Sequence, residues 1–179
     1  MDESAPKAPE TRTVAVVVER RASRNRWQDH TWHVVDVLPG APDVQPWTVL
    51  AEAPGLTRWL AGTAEVTIYP GETDNYKFNI ESAEPAIFVV LRRTEQEPGM
   101  RLLTVTVDPG ESHAHADTGD DLVESLPMPA PLRAWLEAFV AEHHVQRARY
   151  KRKRDRADPE ALGIRDRSGR AGQGWNEDE

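Results

Sequence analysis

The chain has 179 residues, of which 39% are hydrophobic and 25 are Pro or Gly, and it contains no cysteine. That length suits one domain with its own core, and the missing cysteines exclude a disulfide framework, a thiolate metal site and a cysteine nucleophile. The net charge of −8 is unevenly spread: residues 1–146 carry 12 Lys/Arg against 23 Asp/Glu, and residues 147–179 carry 10 against 7. An acidic body at −11 thus bears a basic arm at +3, a pattern that points to an interaction segment.

No apolar run approaches the ~18–20 residues that a membrane helix needs. The first ten residues carry Asp2, Glu3, Glu10 and two prolines, without the basic and apolar regions of a signal peptide. A cytosolic protein that enters no membrane is expected.

Residues 1–12 read as a disordered leader. Thr13–Arg20 (TVAVVVER) is rich in β-branched residues and of strand length, which predicts a well-buried strand. Trp32–Leu38 predicts a second strand, stopped by Pro39-Gly40. Trp47–Ala53 and Thr57–Ala61, joined by Pro54-Gly55, predict a hairpin. Beyond Gly62, the alternation of Ala64, Val66 and Ile68 with Glu65, Thr67 and Tyr69 predicts a separate strand over 64–69 with one face buried. Tyr76, Phe78 and Ile80 alternate likewise with Lys77 and Asn79 and predict a strand over 76–80. Ala86–Arg92 and Arg101–Val107 complete a set of about eight. Short strands with turn signals every ~8–12 residues predict a mainly β protein, an antiparallel barrel or sandwich.

Helix is expected at Glu111–Thr118, after the turn at Pro109-Gly110, and over Pro131–His144. In the latter, Leu132, Trp135, Leu136, Phe139, Val140 and His143 form an apolar stripe along one side, with Trp135 and Phe139 as its anchors on the sheet. The expected organisation is therefore a leader at 1–12, one β-rich domain with a C-terminal amphipathic helix at 13–146, and a basic then low-complexity tail at 147–179.

Signatures of nucleotide, phosphate and zinc-protease sites, the serine-hydrolase elbow and the EF-hand loop are all missing, so no catalytic residue and no cofactor is expected. His113 and His115, with Asp117, Asp120 and Asp121 behind them, have donor types that suit a divalent cation. On a helix, however, positions two apart point away from each other, and no metal site is expected there. His143 and His144 end the second helix, where a cation interacts favourably with the helix dipole.

The densest group of unusual side chains is Trp27, Asp29, His30, Trp32 and His33. An Asp beside a His can orient an imidazole for base catalysis, but no nucleophile sits at a telling spacing. Tryptophans around polar groups either close one end of a β structure or present a contact surface. Trp27, Asp29, His30 and Trp32 are accordingly the candidate partner-binding residues of the domain. Lys151, Arg152, Lys153 and Arg154 are those of the arm, where Arg147–Arg156 holds seven basic residues and one acid. Such an arm suits phosphates, but the acidic body repels a polyanion, and no RNA-recognition strand motif accompanies it. An acidic protein is the expected partner and nucleic acid the alternative.

The segments Glu19–Gly40, Pro46–Leu50, Gly62–Ser82, Ile87–Arg93, Leu126–Pro129 and Lys151–Gly163, in this order, resemble a bacterial, mostly proteobacterial, family of unknown function. The genes of that family tend to lie beside those for molybdenum-dependent formate dehydrogenase, and the resemblance covers residues 13–163. It implies a small accessory factor in the maturation or assembly of that molybdoenzyme, and it assigns no functional residue.

Overall fold

A computed structural model of the protein describes residues 8–145, Arg26 and Gln28 excepted. Seven strands and three helices follow in the order β1 (Glu10–Ala22), β2 (His30–Pro39), β3 (Thr48–Ala53), β4 (Leu56–Ile68), α1 (Thr73–Ile80), β5 (Ala86–Arg93), β6 (Met100–Thr106), α2 (Pro109–Ala116), β7 (Asp121–Pro127) and α3 (Ala130–His143). The strands form two antiparallel sheets, of order β2-β1-β4-β3 and β6-β5-β7. The mainly β expectation stands at that level, and among the described residues no closed barrel forms.

The central strands explain the core. On β1, Val14, Val16 and Val18 face inward, and on β5 Ile87, Val89 and Leu91 do so. Both sets belong to one apolar cluster that Leu132, Leu136 and Phe139 of α3 also join. Period-2 alternation sends the intervening residues to the opposite faces. Ala15, Val17 and Leu60 make a second, smaller cluster on the outer face of the four-stranded sheet.

Three expectations are corrected. Gly62 does not separate two strands: β4 runs unbroken for 13 residues, and its pairing with β1 shifts register at that point. Gly62 has φ +140°, a backbone angle that glycine tolerates and a branched residue does not. Second, residues 76–80 are helical. Pro70–Glu72 makes a single 3₁₀ turn, and α1 buries Thr73, Tyr76 and Asn79, a three-residue spacing that belongs to a helix. Tyr76 is 2% exposed whereas Phe78 is 72% exposed, so the apparent alternation has no common face. Asn79 fixes the exit of α1: its Nδ2 donates to the carbonyls of Ala86 (2.8 Å) and Val107 (2.7 Å), and its Oδ1 accepts from the Ala86 N–H (2.9 Å). Third, β7 is a strand that the sequence reading does not predict, and it pairs with β5 along its whole length.

The other elements lie close to expectation. β1 begins at Glu10, three residues ahead of the boundary drawn from the sequence. The β3–β4 hairpin turns at Pro54-Gly55. α2 is capped by Asp108, whose Oδ1 accepts from the N–H groups of Gly110 and Glu111. On α3, Phe139 is fully packed. Trp135 is half-buried, and its Nε1 donates to Glu10 at 2.6 Å.

Candidate functional site

The chemistry gathers where β1 and β5 both run out of the core. On β1 the inward series Val14, Val16, Val18 continues into Arg20. On β5 the inward series Ile87, Val89, Leu91 continues into Arg93. Each strand thus places an arginine at the same open end of the apolar cluster. Arg20 is set over two rings, 5.1 Å from the centroid of Trp59 and 5.8 Å from that of Trp32. Trp32 stacks on Trp59 at 5.3 Å, and Trp47 meets both edge-on at 6.1 and 6.5 Å. Trp47 holds φ +62°, a left-handed angle that costs a bulky residue on the order of 1 kcal/mol or more. Its N–H bond to the Leu60 carbonyl (2.6 Å) and its contact with the other two rings hold it there.

Arg93 lines three neighbouring clefts. One, of about 300 Å³, is shared with Trp27, Asp29, His30 and Trp32. The second, of about 220 Å³, is walled by Thr31, Trp32, His33, Met100, Leu122 and Glu124. The third, of about 470 Å³, holds Arg92, Thr118, Gly119 and Asp120. Among the described residues neither Arg20 nor Arg93 forms an ion pair.

The four candidate residues of the domain therefore meet in one cleft, with differing roles. Trp27 is 92% exposed on a loop shaped by short local bonds: Asn25 Oδ1 accepts from the Trp27 N–H, and Ser23 Oγ from the Asn25 N–H. Trp32 belongs half to the core and half to the clefts. Asp29 and His30 are exposed, and no hydrogen bond joins their side chains among the described residues. The imidazole that does meet a carboxylate is that of His33, whose Nδ1 lies 3.2 Å from Glu124 Oε1. Glu124 Oε2 accepts from the Val34 N–H at 2.6 Å. Glu124 thereby ties β7 of one sheet to β2 of the other. Lys151, Arg152, Lys153 and Arg154 lie outside the described residues.

Several other charged groups are tied into the fold. His115 Nδ1 lies 3.1 Å from Asp121 Oδ2, and the same carboxylate accepts from Arg92 Nε (2.6 Å) and Nη2 (2.9 Å). The hydrogen bonds from Arg92, with a further one from His115, pull the Asp121 carboxyl down to about 2. Among the described residues no group of three or more His, Asp or Glu is placed to hold a metal ion. His144 Nδ1 lies 3.4 Å from Thr73 Oγ1 and 3.5 Å from Asp74 Oδ1. His143 packs against Phe139, ring centroids 4.2 Å apart at a tilt of 50°.

On the outer face of the four-stranded sheet, Glu19 has 0% exposure and accepts from Arg58 Nε (3.0 Å), Arg58 Nη2 (2.6 Å) and Arg21 Nε. The bond from Arg58, then that from Arg21, holds its carboxyl below the usual range.

Sequence reasoning misses Arg20, Arg93, Glu19 and Glu124. For the two arginines the signal is present: each falls two residues beyond the last apolar inward position of a recognisable strand. For Glu124 no signal exists, because β7 itself is not recognisable.

The fold and site define a two-sheet β domain whose core opens at one end onto tryptophans and two arginines that form no ion pair among the described residues. The chain belongs to DUF3305, a family of proteins of unknown function, whose model matches residues 13–154. No curated protein and no solved structure matches it. Among the described residues no helix is long and apolar enough to cross a membrane.

Proposed function

We propose that this chain is a non-catalytic, protein-binding accessory factor that receives an acidic partner at the open end of its core. The observation that carries this reading is the pair Arg20 and Arg93, both on inward strand faces, both beside Trp32, and neither in an ion pair among the described residues. Among the described residues Arg21, Arg58, Arg92 and Arg133 each pair with an acid, whereas Arg20 and Arg93, like Arg12, Arg24 and Arg101, do not. What sets Arg20 and Arg93 apart is the tryptophans: Arg20 lies over Trp32 and Trp59, and Arg93 shares a cleft with Trp32 and the exposed Trp27, the composition of an interface centre, where Trp and Arg are enriched. Guanidinium forks pair with carboxylates in a fixed, bidentate geometry. A catalytic reading has less support: both oxygens of Glu124 are engaged, and the Glu124–His33 pair joins two sheets. The family resemblance of the sequence directs the search for the partner to molybdenum-dependent formate dehydrogenase, in its maturation or assembly. The basic run Lys151–Arg154 supplies a second acidic-surface contact.

The test is co-purification of a formate dehydrogenase subunit with the tagged full-length protein from its own cells. Trp27→Ala and Arg93→Glu should each reduce recovery about tenfold or more, with melting midpoints unchanged because both positions are exposed. Recovery unaffected by either variant contradicts this assignment of the surface. Sub-micromolar, steeply salt-dependent binding of oligonucleotides that Lys151–Arg154 charge reversal abolishes favours the nucleic-acid alternative instead.

A further inference from the structure

The cleft beside Trp32 is small and mainly apolar in its exposed lining. Its volume of about 220 Å³ falls below the ~300–1,000 Å³ of sites that enclose a whole small ligand, so it suits a single side chain. Trp32, Met100 and Leu122 supply apolar walls and Arg93 a cation. Glu124 also lines it, held to His33 and to the Val34 N–H.

β2 is an edge strand, paired with β1 alone. Because backbone groups alternate sides along an antiparallel strand, the outward Val34 N–H places the N–H and C=O of Trp32 on the same free edge. A polypeptide that approaches along β2 from the His30 side can pair with Trp32, and the next position on that edge is already taken by Glu124 at the Val34 N–H.

From this we infer that the open end of the core binds the C-terminal residue of a partner polypeptide. The terminal carboxylate pairs with Arg93, the last side chain fills the space between Trp32, Met100 and Leu122, and the final peptide group pairs with the free edge at Trp32. The inference rests on the protein-binding reading and adds the chemistry of what is bound: an apolar terminal residue with a free carboxylate.

Titration calorimetry of the full-length chain with N-acetylated hexapeptides tests this directly. Three sets are compared: peptides ending in Leu or Phe as free acids, the same peptides as C-terminal amides, and amides with a glutamate before the last residue. The free acids should bind, and both amide sets should bind about tenfold more weakly or worse, since the charge-assisted pair with Arg93 is lost or misplaced. Arg93→Met should erase the difference between acid and amide. Leu122→Trp, which fills the cleft, should remove binding of all sets, and Arg93→Lys, which keeps the charge without the fork, serves if that variant fails to fold. Equal affinity for acids and amides, glutamyl amides that match the free acids, or no binding up to about 1 mM overturns the inference. If no peptide binds while Arg93→Glu still abolishes co-purification, the terminal anchor is wrong and the protein-binding reading stands. If Arg93→Glu leaves co-purification intact while free acids bind, the reading of the partner falls and the peptide site stands.

Discussion

Arg92 and Arg93 are neighbours in sequence and share one cleft, but among the described residues only Arg92 forms an ion pair. Arg92 lies on the outer face of the three-stranded sheet and gives two hydrogen bonds to Asp121. Arg93 lies on the inner face at the mouth of the core and lines three clefts. One residue of pleat separates a structural ion pair from a candidate anchor. The paired acids carry a pH consequence. Asp121 is held at about 2, below its ordinary 3.8, and Glu19 is held below its ordinary 4.5. A carboxyl depressed in the folded state contributes stability above its unfolded value and loses it as pH falls toward the folded one. Urea midpoints should therefore decline on acidification from about pH 4.5 toward pH 2. Asp121→Asn and Glu19→Gln should be less stable than wild type at pH 7 and show a shallower acid limb. An unchanged limb in both variants would mean that neither pair matters to the fold.

At the scale of elements, what the sequence reveals depends on whether the signal is local. β1, β2, the β3–β4 hairpin, β5, β6 and the two later helices can each be read from their own residues, because a β-branched run, a Pro-Gly turn or an apolar stripe needs no partner to be recognised. α1 is misread because Tyr76, Phe78 and Ile80 alternate by accident. Its true pattern is Thr73, Tyr76 and Asn79, and two of those three are polar, so an apolar-only scan passes over them. Asn79 is inside because of backbone groups at Ala86 and Val107, which only the tertiary fold brings near. β7 is hidden for a similar reason: DLVESLP has little strand character, and its pairing with β5 creates the strand. Phe78→Ser should change stability within about 0.5 kcal/mol, as a surface position does. Tyr76→Ala should cost about 3–5 kcal/mol, the range for truncating a buried aromatic. A strand over 76–80 would penalise both alike in chemical denaturation. The glycine in β4 gives an independent check. A Cβ at Gly62 meets only Pro46, at 3.6 Å, so Gly62→Ala is opposed by φ and not by crowding, and should cost about 1–2 kcal/mol. A neutral result would show that the bulge relaxes without strain.

For the molecule as a whole, charge and topology converge on one end. The body is acidic, yet the end where β1 and β5 leave the core collects Arg20, Arg93, His30 and His33, with Asp29 and Glu124 as its acids, around three packed tryptophans. The opposite end, where β4 gives way to α1 and β5 begins, carries the exposed Phe78. An exposed aromatic therefore stands near each end, Trp27 at one and Phe78 at the other, and a partner that recognises the arginine end should touch only the first. Part of this was open to reading from the sequence: Trp27, Asp29, His30 and Trp32 do share a cleft. The cation that completes it, Arg93, comes from a strand more than sixty residues later, and only the fold joins them. Replacing Trp27 or Phe78 with the photo-crosslinker p-benzoylphenylalanine in the full-length chain, followed by irradiation of intact cells, tests this most directly. A discrete protein adduct at position 27 that Arg93→Glu abolishes, with none at position 78, is the predicted result. Adducts at position 78 alone, equal adducts at both positions, or a nucleic-acid adduct at position 27 would contradict it.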